Sequence, residues 1–154
     1  MKLYLVQHGE ALPAEADSER PLSAAGRRDV EALARFLAAR GLRIERIQHS
    51  GKTRARQTAE ILAGALAPGL GTEARPGLAP KDPVEAFVAG LAEDTRDRLV
   101  VGHLPFMDRL VAHLVGGGEA RGLVAYRPGA MVCLERAEDG AWRIAWMLRP
   151  ELLA

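Results

Sequence analysis

The stretch "LYLVQHGEA", residues 3–11, decides the fold. Leu3 to Val6 form a short unbroken apolar run of strand-compatible residues, and Gln7-His8-Gly9-Glu10 stops it abruptly. A strand that reads apolar on both faces belongs inside a sheet covered on two sides. In an open α/β sheet, polar side chains just beyond the carboxyl end of such a strand lie at the ligand-binding edge. His8 is therefore placed where chemistry happens in that architecture.

Working outward, the same pattern recurs twice. "IERIQHS" (44–50) reads as a second strand, and "DRLVVGH" (97–103) as a third buried one ending at His103. Between them, "LSAAGRRDVEALARFLAARG" (22–41) carries Val30, Leu33, Ala34 and Leu37 at helical spacing. Ser23 is its expected N-cap and Gly41 its stop. "GKTRARQTAEILAGALAPG" (51–69) predicts a helix capped by Ser50 and closed by Pro68-Gly69. "PVEAFVAGLAE" (83–93) and "PFMDRLVAHLVGGG" (105–118) predict helices opened by proline. The intervening segments 11–21 and 70–82 read as loops. "AMVCLERAEDGAWRIAWMLRP" (130–150) predicts two strands folded about Asp139-Gly140. Strands alternating with helices imply an α/β fold: a three-layer sandwich with a mostly parallel central sheet flanked by helices, and a C-terminal β-hairpin. The length, 154 residues, predicts one domain over 1–154.

Composition narrows the function classes. Net charge is +1 with 27% charged residues, so nothing draws the whole chain to nucleic acid or an anionic membrane. No apolar run reaches membrane-spanning length, and the start lacks a signal-peptide pattern. The lone Cys133 lies in an apolar strand-like run, expected as a buried thiol in a cytoplasmic protein.

Three polar constellations follow the three strands: His8 with Gly9, then "HSGKTRARQT" (49–58) with His49, Ser50, Lys52, Arg54 and Arg56, then His103 before Leu104-Pro105. Two histidines, several cations and helix N-termini on one rim describe an anion site. A histidine there can attack phosphorus while cations take up the charge on the equatorial oxygens. His49 and His113 read as ordinary structural residues. Metal ligation by His8 and His103 finds no completing carboxylate or cysteine spacing.

In order and spacing, "LVQHGEA", "RPLSAAG", "HSGKTRARQTAE" and "VVGHLP" resemble the histidine phosphatase (phosphoglycerate mutase-like) superfamily, in particular its compact SixA-type phosphohistidine phosphatases. The resemblance implies His8 as the phosphorylated nucleophile, Arg54 as the phosphoryl clamp and His103 as a phosphate ligand across the pocket. It further implies substrate contacts from Gly9, the loop residue Arg20 and the backbone N–H of Leu104. No metal and no organic cofactor are implied. The implied partner is a phosphorylated protein bearing phosphohistidine, or a small phosphorylated substrate.

The superfamily hallmark is Arg-His-Gly, and this chain has Gln7-His8-Gly9. Gln7 keeps a donor and loses a charge. A neutral hydrogen bond contributes roughly 1 kcal/mol against roughly 1.5–3 for a charged one. The loss is thus about ten-fold in binding or rate, and about 10³-fold where the cation acts on the transferring phosphoryl. Lys52 or Arg20 could restore the charge. A phosphoramidate such as phosphohistidine, whose P–N bond is reactive, tolerates a weaker clamp. The alternatives are a small-molecule phosphomonoesterase and a non-catalytic phospho-ligand binder. Glu10, Asp17, Asp82 and Glu85 are the candidate general acids, with Asp82 equally readable as a helix N-cap.

Overall fold

A computed structural model describes residues 1–117 and 122–153. Six strands make one sheet: β1 (Lys2–Gln7), β2 (Arg46–His49), β3 (Thr72–Ala74), β4 (Arg98–Gly102), β5 (Met131–Arg136) and β6 (Trp142–Leu148), in the order β3-β2-β4-β1-β5-β6. Four helices accompany it: α1 (Ala24–Ala39), α2 (Thr53–Leu66), α3 (Glu85–Leu91) and α4 (Phe106–Gly116).

β1 owes its unbroken apolar reading to its central place, between β4 and β5. Its side chains alternate between two cores. Tyr4 and Val6 pack with Val30, Leu33, Ile47 and Leu62 under α1 and α2. Leu3 and Leu5 pack with Phe87, Phe106 and Leu110 under α3 and α4. That alternation is the three-layer sandwich seen from a single strand.

The sheet is less parallel than the sequence suggests. β3, β2, β4 and β1 run parallel to their neighbours, whereas β1–β5 and β5–β6 are antiparallel. The mixed character comes from the C-terminal hairpin adding to β1 directly, so its strands inherit the opposite sense. β3 lies in a segment read as loop. Its three residues are all exposed and carry no apolar alternation, so only backbone pairing to β2 makes it a strand.

The caps follow in part. Ser23 Oγ accepts the Gly26 N–H at 3.0 Å, and Gly41 takes φ +69° just past the Arg40 cap. Lys52, not Ser50, occupies the N-cap of α2 and makes no side-chain cap bond. Asp82 accepts the Ala79 N–H at 2.9 Å, closing a turn, while Val84 is the N-cap of α3. Pro83 therefore precedes α3 rather than opening it. α4 begins at Phe106 with Pro105 at the cap; Gly118, the expected end of that helix, lies outside the described residues. The hairpin turn is as read: the Ala137 N–H donates to Ala141 O at 2.8 Å, and Gly140 supplies the required φ of +84°. Among the described residues no helix is long and apolar enough to cross a membrane.

Candidate active site

β1, β4 and β2 are adjacent, so their carboxyl ends bring His8, His103 and the start of α2 to one rim. The strand ladder holds His8 from behind. Its N–H donates to Gly102 O at 3.0 Å, and its carbonyl accepts the Gly129 N–H at 3.1 Å.

The His8 side chain has a defined tautomer. Nδ1 lies 2.7 Å from Gly9 O, and a carbonyl can only accept, so Nδ1 carries the proton. Nε2 is left with its lone pair, facing the Arg54 guanidinium, whose Nε donates to it at 3.4 Å. Burial first, then the charges of Arg54 and Arg20, pull the His8 pKa from 6.5 down to about 4. A neutral imidazole with its free nitrogen aimed at a fixed cation is a ready nucleophile toward an anionic group.

Arg54 is held in turn by α2. Thr58 Oγ1 donates to Arg54 O at 2.8 Å and accepts the Gly9 N–H at 3.0 Å, joining α2 and the loop after β1 through one buried hydroxyl. Gly9 is thereby committed within the protein through both of its backbone groups. A Cβ on Gly9 would lie 2.8 Å from Val30 Cγ2, and one on Gly26 would overlap the Glu10 backbone, so α1 and the loop after β1 meet glycine to glycine.

His103 faces His8 with ring centroids 5.0 Å apart. Its Nε2 is 2.6 Å from Ser50 Oγ, while its Nδ1 is buried without a partner among the described residues. Buried orphan N–H groups are rarer than orphan acceptors. The favoured tautomer therefore puts the proton on Nε2, donating to Ser50. Ser50 Oγ also accepts the Lys52 N–H at 3.3 Å, which frees its own proton for an oxygen in the pocket. Burial, then His8, Arg54, Lys52 and Arg20, lower the His103 pKa to about 3. Both rings are thus neutral until an anion arrives.

The chemistry this geometry calls for is phosphoryl handling, and comparison with known proteins agrees. The family model "Histidine phosphatase superfamily (branch 1)" matches residues 3–80. The phosphohistidine phosphatase SixA of Escherichia coli (strain K12) is 32% identical over 97% of this chain and 94% of its own. The chain belongs to the histidine phosphatase superfamily. It is accordingly a phosphatase with the phosphoglycerate mutase-like α/β fold. The solved structure of the protein histidine phosphatase SixA complexed with tungstate is 31% identical, covers 100% of both chains and superposes with a TM-score of 0.87. A phosphoserine phosphatase mutant from Entamoeba histolytica, complexed with phosphoserine, shares the fold at a TM-score of 0.76 and 11% identity, over 99% of each chain.

As a histidine phosphatase, the chain brings His8, Arg54 and His103 together and keeps Arg20 within electrostatic reach of all three. Arg20 Nε also donates to Leu12 O at 3.1 Å, so the same side chain ties down its loop. Gln7 ends β1 beside Gly102 and is 8% exposed, with its Oε1 buried and without a partner among the described residues. Leu104 stands just before α4 and is 39% exposed. Arg56 turns away, paired with Glu60 at 3.1 Å. His49 is buried with Nδ1 accepting the Gly51 N–H at 3.1 Å, a structural role. Burial raises the Cys133 thiol to about 11, so it is inert.

The candidate acids fare differently. Ser23 Oγ donates to Glu10 Oε1 at 2.9 Å, and Asp17 Oδ1 accepts the Glu19 N–H at 2.9 Å. Asp82 closes its own turn, and Glu85 opens α3. Among the described residues, no three His, Cys, Asp or Glu side chains converge as a metal site. Sequence reasoning placed Ser50 in the polar cluster after β2 and missed its contact with His103; it missed Thr58 altogether. Ser50 reads as a helix cap because it precedes α2, and only its placement opposite His103 across two strands discloses the contact.

Proposed function

We propose that this phosphatase removes the phosphoryl group from phosphohistidine on a protein, through a phospho-His8 intermediate. The observation that carries the proposal is the His8 tautomer: Nδ1–H bound to Gly9 O, with the Nε2 lone pair aimed at Arg54. In the first step His8 Nε2 bonds to phosphorus and the P–N bond to the target imidazole breaks, the released imidazole taking a proton from solvent water. In the second, water attacks phospho-His8, releasing inorganic phosphate and restoring the neutral ring.

Arg54 clamps two phosphoryl oxygens, turning from His8 Nε2 as the anion enters. His103 gains a proton beside the anion and serves as a cationic ligand, with the Ser50 hydroxyl and the Leu104 N–H as further donors. Arg20 and Lys52 supply field at the mouth. Gln7 contributes an amide where the family has a second guanidinium, so Arg54 carries most of the clamp. That suits a phosphoramidate, whose leaving imidazole needs little help, and suits an alkyl phosphate poorly. Glu10, Asp17 and Asp82 are each engaged by a hydrogen bond within the protein, which argues the same way, since an alkoxide leaving group needs a general acid beside it. The relative named a phosphohistidine phosphatase, similar over nearly the whole chain, supports this choice of substrate.

The test is turnover of a phosphohistidine peptide beside phosphoserine and an aryl phosphate. The expected outcome is a kcat/KM at least 100-fold higher for the phosphohistidine peptide, lost in His8→Ala. Preference for phosphoserine would contradict the substrate assignment.

A further inference from the structure

Helix α2 holds the catalytic rim with two rows of side chains. Arg54 and Thr58, four positions apart, meet His8 Nε2 and the Gly9 N–H. Thr53 and Gln57, also four apart, form the neighbouring row. Gln57 Oε1 accepts the Leu22 N–H at 2.8 Å, and Thr53 Oγ1 donates to Glu19 Oε2 at 3.3 Å. The second row thus grips the loop after β1 on either side of Arg20.

Of the two grips, the one at Leu22 is the stronger. A backbone N–H can only donate, so the amide oxygen of Gln57 is the end that faces it. Leu22 is 8% exposed, which leaves its N–H little access to water and makes the glutamine costly to lose. The rest of the loop is tied to itself: the Leu12 N–H donates to Pro21 O at 2.8 Å, and Arg20 Nε donates to Leu12 O at 3.1 Å. Gln57 anchors that closed loop to α2. Arg20 is where the loop turns inward, half-buried after the exposed run 13–19. Its φ of +47° is left-handed, a conformation that a residue with a side chain keeps only where its surroundings impose it. With glutamine at position 7, Arg20 joins Arg54 as a guanidinium whose charge reaches both His8 and His103.

We infer that Gln57 is a positioning residue for anion capture: by accepting the Leu22 N–H it fixes the loop from which Arg20 faces the incoming phosphoryl group. The inference rests on the phosphoryl-binding rim proposed above, not on which leaving group the phosphate carries. A guanidinium held at the mouth meets the anion alike in the ground state and the transition state, so it acts on KM and leaves kcat alone.

The test measures tungstate affinity by calorimetry, which is independent of the substrate, together with KM and kcat for the phosphohistidine peptide and the aryl phosphate. Gln57→Met keeps the length of the side chain and removes the acceptor. It should weaken tungstate binding and raise KM about five-fold each, with kcat within about two-fold of the unaltered protein. Arg20→Ala should do the same. The double variant should be no weaker than Arg20→Ala alone, because Gln57 acts through Arg20. Melting curves establish that each variant is folded; if Gln57→Met is not, Gln57→Asn, which withdraws the amide by one methylene, decides in its place. Tungstate affinity unchanged by either single substitution, losses that add in full in the double variant, or a loss confined to kcat would overturn the inference. A failure of phosphohistidine as the substrate would leave the tungstate comparison standing, so the two readings fail separately.

Discussion

At the scale of single residues, the site rests on which nitrogen holds a proton. The Gly9 carbonyl fixes Nδ1–H on His8, and burial with two cations keeps the ring neutral well below its ordinary range. The proposed nucleophile is then fully available across physiological pH, and the acid limb of kcat/KM is expected near pH 4 rather than 6.5. A pH–rate profile over pH 3.5–8 with a substrate of fixed charge checks this. Ser50→Ala leaves His103 Nε2 without its partner; the expected result is about a ten-fold fall in kcat/KM, on the order of 1–2 kcal/mol in the transition state, with the phosphate-free fold intact by circular dichroism. Gln7→Arg restores the family's second guanidinium, and tungstate or phosphate affinity should rise about ten-fold. Unchanged affinity would mean that Lys52 or Arg20 already replaces it. His8, Arg54 and His103 were legible because each follows a readable strand. Ser50 and Thr58 were not, because their partners lie 53 and 49 positions away and no local pattern encodes such pairs.

At the scale of elements, the approach of α1 to the loop after β1 sets the position of His8. Gly9 and Gly26 are the contact, and the Ser23 cap and Glu10 carboxylate lace it at the helix start. Gly26→Ala drives a methyl into the Glu10 backbone. Overpacking of this kind costs on the order of 1–3 kcal/mol, and it moves the nucleophile loop too. A lowered melting temperature together with at least a ten-fold loss of kcat/KM is the expected pair of results; a stable variant with full activity would show that the loop can yield. Helix and strand positions were readable from apolar periodicity in "LYLV", "RLVVG" and the Val30-Leu33-Leu37 stripe. β3 was not, since three exposed residues paired only through the backbone leave no side-chain signature. The antiparallel strands were readable as a hairpin, but their neighbour in the sheet depends on which edge of β1 stayed open, a tertiary fact.

At the scale of the whole molecule, one sheet carries its anion-directed rim at the strand carboxyl ends. Two neutral histidines at that rim, His103 buried and His8 half-buried, make the fold acid-sensitive. Between pH 6.5 and 4 the unfolded chain binds a proton at His8 that the folded chain refuses. Stability therefore falls as pH drops through that window, on the order of 3 kcal/mol from His8 alone. His103, held at about 3, adds in the same direction. Tungstate, which favours the protonated His103, should offset part of the loss, measurable as a melting-temperature gain that grows toward acid pH. A melting temperature flat from pH 7 to 4.5 would contradict the buried neutral state.

The central claim is covalent chemistry at His8. The most direct measurement is a single-turnover reaction with a phosphohistidine peptide, quenched in base, with phosphate on the enzyme located by mass spectrometry and phosphorus NMR. The account predicts an acid-labile phosphoramidate on His8 Nε2 that forms and decays at the rate of phosphate release and is absent in His8→Ala. Phosphate release with no label on His8, or release that persists in His8→Ala, would contradict it.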